Sequence, residues 1–587
     1  MAQRKPDVDW VNRFADEVIA EAGRRSPGRP VVVASGLSPS GPIHLGNLRE
    51  VMVPHLVADE IRRRGVECVH ILSWDDFDRL RRVPADVDQS WAEHVGKPLT
   101  SVPAPPGSPY PNWAEHFKAP MADALQRLGV EFRGISQTQM YTSGAYVEQV
   151  LLAMRERARI DAVLAQYRTR PRPAAAAVAA GLDERAGDDA AAEEALSAEA
   201  AAEAAAEEGS GAAAEEDGAT SAGYFPYKPY CSVCERDLTT VTGYDDATTE
   251  LTYTCACGHH EAVLLSEHRN GKLVWKVDWP MRWAYEGVIF EPSGVDHQAP
   301  GSSFTVGGRL VSEIFGGEQP IGPMYAFVGI SGMAKMSSSR GGVPTPAEAL
   351  EIMEVPVLRW LYARRRPQQS FSIAFDQEIQ RLYDEWDAVA RKTADGTASS
   401  LDAGSYDRAI RTAAGPLPVT PRPLPYRTLA SVADITTGDP DQMLRILSEL
   451  DPSQPLTSLD EVRPRLDCAQ HWVATQLPAD QQTRLAAEAD AAALAALTPE
   501  ERAALDLLLA GLDEHWSLEG LSRLVYAVPK LQAGLPADAP PTPELRAAQR
   551  AFFALVYRLL IGRDTGPRLP TLLLAAGPER IRKVLSG

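Results

Sequence analysis

The chain has 587 residues, 44% of them hydrophobic and 24% charged, with a formal net charge of −20. This composition excludes a fibre and a wholly disordered tail, and six cysteines are far too few to staple so long a chain with disulfides. The acidic balance disfavours a surface coated in basic residues but leaves room for a local basic face, and the length suggests about three to five modules.

Taken in order, Trp10, Phe14, Val18 and Ile19 recur near helical spacing and predict a short opening helix. The first 30 residues show neither an apolar h-region nor a cleavage signal, and no run of about 18 apolar residues offers a membrane span, so a cytoplasmic protein without a membrane partner is expected. Val31 to Ala34 reads as a buried parallel strand, followed by a turn dense in Gly, Ser and Pro from Ser35 to Pro42. His44 to Arg64 reads as a helix, Val66 to Leu72 as a second strand and Val130 to Ile135 as a third. Strand, helix and strand at this spacing make a βαβ unit, with function expected at the carboxyl ends of the strands.

Residues 173–222 hold 23 Ala in 50 positions and 13 Asp or Glu against one Arg. Such a stretch cannot bury a core and reads as a disordered, solvated insertion, so the rest of the chain is only mildly acidic. A small Cys-rich module follows at 223–265, then strand-like sequence to about 345. From 346 to 587 the pattern is helical, punctuated by the Pro-rich stretches 415–425 and 533–543.

Two segments carry the chemistry. In Pro39-Ser40-Gly41-Pro42-Ile43-His44-Leu45-Gly46-Asn47 a glycine-bearing turn delivers a His to a helix start, where backbone N–H groups and the helix dipole favour a polyphosphate. His44 and Asn47, three apart on one face, can donate hydrogen bonds to an α-phosphate as it gains charge, and Gly46 leaves room for a purine ring. In Lys335-Met336-Ser337-Ser338-Ser339-Arg340 a Lys among small residues makes a mobile clamp for departing pyrophosphate. Taken singly, the first is also an ordinary helix cap and the second a solvated loop.

Together and in this order, the two segments resemble the "HIGH" and "KMSKS" signatures of the class I aminoacyl-tRNA synthetases. Asn47 replaces the final His of the first and Ser338 the second Lys of the second; Arg340 is the candidate to restore that cation. The strings Ala34 to Gly41, Ser73 to Arg79, Val277 to Trp283 and Leu560 to Pro570 narrow the resemblance to class I lysyl-tRNA synthetases. The resemblance implies a Rossmann-type α/β catalytic domain in two halves (1–172 and 266–345), with the zinc-binding module at 223–265 inserted, and an all-α anticodon-binding domain at 346–587. It implies His44, Asn47, Lys335, Ser338 and Arg340 as catalytic residues. ATP, with Mg²⁺, would be held by Pro39, Ser40, Gly41, His44, Gly46, Asn47, Asp296 and Lys335 to Ser339, including Met336, Ser337 and Ser338. The implied partners are lysine and tRNA(Lys), and a monomer is expected.

A lysine pocket needs an aromatic wall and an acid. The resemblance places pocket residues at Gly36, Ser38, Trp275, His297 and Tyr325, while Trp275 taken by itself reads equally as core. Asp75, Asp76 and Asp78 follow an apolar strand; Asp75 and Asp76 are candidate ammonium contacts, with helix capping the alternative. Cys231, Cys234, Cys255 and Cys257 form a tetrahedral zinc constellation, to which His259 or His260 is an alternative ligand. Arg62–Arg64 and Arg364–Arg366 are candidate phosphate contacts or merely exposed helix faces. The rival readings are a synthetase for another amino acid, such as glutamate, and a degenerate synthetase kept for RNA binding.

Overall fold

The computed structural model describes residues 9–85, 87–168, 218–299, 301–330, 343–540 and 542–586. The expectations for 173–217 and for Lys335 to Arg340 lie outside the described residues. Among the described residues no helix is long and apolar enough to cross a membrane. The chain divides into two compact units. One comprises Met1–Leu350, Val355–Ala374 and Val389–Pro418; the other comprises Glu351–Glu354, Phe375–Ala388 and Val419–Gly587. Val355–Ala374 and Val389–Pro418, which periodicity groups with the C-terminal helices, therefore cluster with the first unit.

In the first unit, helix α1 (Trp10–Arg25) is capped by Asp9, whose carboxylate accepts the Val11 N–H at 2.9 Å, and buries Trp10, Phe14, Val18 and Ala22 on one side. Strand β1 (Val31–Leu37) feeds helix α2 (Leu45–Arg63), which returns the chain to strand β2 (Cys68–Trp74). After α3 (Trp113–Arg127) comes β3 (Arg133–Ser136). β1 and β2 pair in parallel from Val31↔Cys68 to Leu37↔Trp74, and β2 pairs in parallel with β3. The second strand runs two residues beyond its apolar run because Ser73 and Trp74 still pair with Gly36 and Leu37. Parallel bridges Val33↔Phe290 and Phe290↔Ile321 extend the same sheet, and Ser293–Gly294 pairs in parallel with Met324–Tyr325. All these strands point one way, so the loops after Leu37, Trp74, Ser136 and Gly294 gather at one edge.

A layer of aromatic side chains covers this sheet. Trp279, Trp283 and Phe304 pack with Ala34, Ile71 and Ile135. The Cys-rich module is a three-stranded antiparallel sheet (Thr239–Tyr244, Glu250–Cys255, His260–Leu264). It is tied to the parallel-sheet region by Tyr230 Oη, which donates to Phe77 O at 2.6 Å, and by the Lys97–Glu235 pair at 2.8 Å.

The second unit is helical. Tyr383 stacks on Tyr426 with ring centroids 4.2 Å apart. The buried Arg465 guanidinium lies over the Tyr383 ring at 4.9 Å and reaches Glu354 at 2.7 Å and Asp387 at 2.9 Å, a buried charge cluster.

Candidate active site

The Gly-rich turn after β1 ends at His44, the N-cap of α2. His44 Nδ1 accepts the Gly46 N–H at 3.0 Å, and Asn47 Oδ1 accepts the His44 N–H at 3.2 Å. These bonds satisfy two of the open donors at the helix start. They also fix polarity. Burial pushes the His44 imidazole down to about 4, so it is neutral near pH 7. A neutral ring whose Nδ1 accepts must carry its proton on Nε2. Asn47, with Oδ1 committed to the cap, keeps its amide nitrogen as a donor. Two neutral donors thus stand at the positive end of α2.

Beside Asn47 opens a cavity of about 280 Å³ at the carboxyl edge of the parallel sheet. Gly36, Ser38, Ser40, Asn47, Asp75, Trp275 and His297 line it, together with Glu50, Ser73, Gln137, Trp279, Arg282 and Glu291. The helix Trp275–Glu286 sets three indoles one turn apart. Trp275 stacks on Trp279 at 5.1 Å with 17° between planes, and Trp279 meets the His297 ring at 5.5 Å. Trp275 is therefore part of the aromatic core and of the cavity wall at once. Glu291 accepts the indole N–H groups of Trp279 at 3.1 Å and Trp283 at 2.6 Å. Burial nevertheless pushes its carboxyl up to about 7.

The cavity's charges are unbalanced. Arg282 binds Asp75 at 2.6 Å and also grips Asp278, which Lys272 reaches at 3.5 Å while holding Asp78, so two cations serve three carboxylates. Burial raises Asp75 and raises Glu50 well above the ordinary carboxylate range, and Glu50 is further destabilised by neighbouring Glu291 and Asp296. Glu50 is hydrogen-bonded by the Tyr325 hydroxyl. An aromatic cavity whose acids are held toward their neutral form until a cation arrives suits a cationic ligand of amino-acid size.

The four sulfurs of Cys231, Cys234, Cys255 and Cys257 lie within 4.8 Å of one another, with Cys231–Cys257 at 3.8 Å and Cys234–Cys255 at 3.6 Å. A tetrahedral ion with metal–sulfur bonds of about 2.3 Å needs sulfur–sulfur edges close to these. The set fits zinc. His259 turns to Ser232 Oγ at 3.2 Å instead, so four sulfurs complete the site without it.

The family model for tRNA synthetases class I (K) matches residues 8–412. The lysine–tRNA ligase of Streptomyces coelicolor is 67% identical over 100% of this chain and 99% of that protein. That of Thermococcus kodakarensis is 31% identical over 98% of this chain and 99% of that protein. The chain belongs to the class I tRNA synthetases. A glutamate tRNA ligase from Elizabethkingia meningosepticum overlays at a TM-score of 0.42 with 13% identity, covering 95% of this chain and 99% of that one, too loosely to bear on either fold or function.

In this synthetase the other sequence-predicted residues are distributed as follows. Pro39, Gly41, His44 and Gly46 form the turn and first helical residues beside the cavity without lining it; Asp296, in the short helix Val295–Gln298, and Tyr325, on the strand Met324–Tyr325, also stand outside its lining. Asp296 lies 3.7 Å from His297 Nε2. Asp76 is turned away: its carboxylate accepts the Thr138 N–H at 2.8 Å, inside the next short helix. Asp78 is engaged by Lys272. Arg62 and Arg63 donate to backbone oxygens and acids of the same unit, and Arg64 to Glu60 and Asp16, so this triplet is internally committed. Glu50, Ser73, Gln137, Trp279, Arg282 and Glu291 line the cavity but stand outside the sequence-predicted site. The Glu291 signal is its place on a parallel strand end, next to a run of tryptophans that need acceptors.

Proposed function

We propose that the chain is a lysine–tRNA ligase acting in translation. The observation that carries this is the acid-surplus, tryptophan-walled cavity opening against the donor-rich start of α2. In this reading the parallel sheet is the Rossmann-type half of the catalytic domain, the Cys₄ module is held by a structural zinc, and the helical unit reads the anticodon.

Lysine lies with its aliphatic stem against Trp275 and its ammonium groups toward Glu50, Asp75 and Glu291. ATP, as its Mg²⁺ complex, lies along the turn from Pro39 to Gly41, over Gly46, with its ribose toward Asp296. The lysine carboxylate attacks the α-phosphorus in line. The α–β phosphoanhydride bond breaks, giving lysyl-adenylate and pyrophosphate. His44 Nε2–H and the Asn47 amide meet the charge that builds on the α-phosphate oxygens, and as neutral donors they need no proton transfer to do so. Lys335, Ser338 and Arg340 hold the leaving pyrophosphate. The 2′-hydroxyl of the terminal adenosine of tRNA(Lys) then displaces AMP. Positioning dominates, because no difficult proton transfer limits either step.

Pyrophosphate exchange with each of the twenty amino acids, with tRNA present, tests this. Lysine alone should support exchange. Exchange with glutamate and not lysine would overturn the assignment, since a glutamate side chain would place a further carboxylate against Glu50 and Glu291.

A further inference from the structure

Residues 521–587 carry ten Lys or Arg against four Asp or Glu, a local excess of cations in a chain whose net charge is −20. Most of these cations are spent within the fold. Arg558 faces Asp564 at 3.4 Å, Arg580 donates to the Ala486 and Leu485 carbonyls, and Arg582 and Lys583 pair with Asp513 and Glu488. Arg546 and Arg550 are different. Both are exposed on the helix Pro543–Ile561, and neither guanidinium has an ion pair or hydrogen bond among the described residues.

The spacing of these two arginines has a meaning. Arg546, Arg550 and Phe553 fall at i, i+4 and i+7, one stripe along the helix. Phe553 is half-buried and meets the Tyr526 ring edge-on at 5.2 Å. Tyr526 belongs to the helix Leu518–Gln532, yet 48% of it is exposed, which is unusual for so large a ring. Gln549 Nε2 donates to Tyr526 O at 3.1 Å and locks the two helices together at this point. The result is an accessible aromatic face, held in place from behind, with two uncommitted guanidinium groups one and two turns along.

We propose that this face of the helical unit is a stacking platform for an unpaired RNA base, with Arg546 and Arg550 on the flanking phosphates. A ring face accepts any base by stacking, and a row of cations beside it follows the strand, which is how proteins hold single-stranded nucleic acid. A duplex offers no free base face and fits it poorly. An acidic protein segment would be drawn by the arginines but would gain nothing from an exposed tyrosine. The proposal rests on tRNA being the acceptor and assigns this surface to an unpaired loop of it.

The test is binding of a fluorescent RNA hairpin bearing the anticodon loop of tRNA(Lys) to the full-length protein, read by anisotropy beside a blunt duplex of the same length. Tyr526→Ala should weaken hairpin binding roughly tenfold, and Tyr526→Phe should restore it to within about twofold, because the ring and not the hydroxyl stacks. The pair Arg546→Ala and Arg550→Ala should weaken binding and flatten the salt dependence by about one to one and a half in log–log slope. Unchanged hairpin binding in Tyr526→Ala and in the arginine pair, with melting curves like wild type, overturns the proposal. So does equally tight binding of the duplex, or displacement of the hairpin by a poly-glutamate peptide at equal concentration. Charging of tRNA(Lys) by the wild type is measured separately. A protein that charges tRNA but fails the hairpin test loses this surface and keeps its activity, whereas one that binds the hairpin and never charges loses the ligase reading.

Discussion

The Trp283 indole donates its N–H to the Glu291 carboxylate at 2.6 Å, and that carboxylate faces the cavity. Burial holds Glu291 at about 7, far above the ordinary range. It is therefore largely protonated at pH 6 and largely ionised at pH 8. If it attracts an ammonium of lysine, KM for lysine should fall roughly tenfold between those values, and Glu291→Gln should remove most of that slope. For folding the sign is reversed. A raised carboxyl stabilises the native state fully below its unfolded value near 4.5, and that stabilisation is lost as pH rises through about 7. The melting temperature of wild type relative to Glu291→Gln should thus decline from pH 5 to pH 8. A lysine KM that does not vary with pH would remove Glu291 from the pocket.

His44 is predicted to work as a neutral donor. Held down near 4, it takes no proton between pH 5 and pH 8, so adenylate formation should show no limb near 6.5 that disappears in His44→Gln. His44→Gln and Asn47→Ala should each lower kcat for pyrophosphate exchange by about 10²- to 10³-fold with little change in lysine KM. A large rise in KM at constant kcat would show that these groups bind the ground state equally.

Arg282 is the most exposed to disruption of the buried charges. Replacing it with Met leaves Asp75 without its arginine and Asp278 with only the Lys272 cation at 3.5 Å, at a cost of about 3–5 kcal/mol. Urea unfolding of Arg282→Met should show that loss. The double variant with Asp75→Asn should recover part of it, because one stranded charge is removed. No recovery would mean that Asp278, fully buried and hydrogen-bonded by Tyr141, carries the penalty alone.

The cysteine set predicts one zinc per chain by elemental analysis, falling to near zero in Cys234→Ser. Tyr227, Tyr253 and Leu251 share one buried cluster with Phe77, Tyr141 and Met281, but the ion closes the two cysteine turns, so removing it should open those turns while the parallel sheet stays folded. Hydrogen exchange should show protection lost between 230 and 265 and kept in β1 and β2. Global unfolding on chelation would contradict this.

The parts of the site that could be read in the chain are those written in neighbouring residues. The turn into His44 announces a helix cap, and Cys231-x-x-Cys234 with Cys255-x-Cys257 announces a four-sulfur site, because in each case the partners sit within a few positions or on paired strands. Arg282 was invisible for the opposite reason. Four residues after Asp278 it looks like a surface helix pair, and only the fold reveals Asp75, more than 200 positions earlier, on its other side. Asp76 shows the same limit in reverse. It stands beside Asp75 in the chain, yet the turn after β2 sends its carboxylate to the Thr138 N–H and away from the cavity. β2 runs two residues past its apolar run because Ser73 and Trp74 continue the ladder opposite Gly36 and Leu37.

At His44, one bond both closes a helical turn and chooses which ring nitrogen is protonated. Architecture and reactivity are therefore separable there by a single letter. An aspartate at position 44 could also cap α2, but in the proposed mechanism it would present lone pairs and negative charge where the triphosphate needs hydrogens. In the proposed mechanism such a variant would keep its helix and lose its turnover.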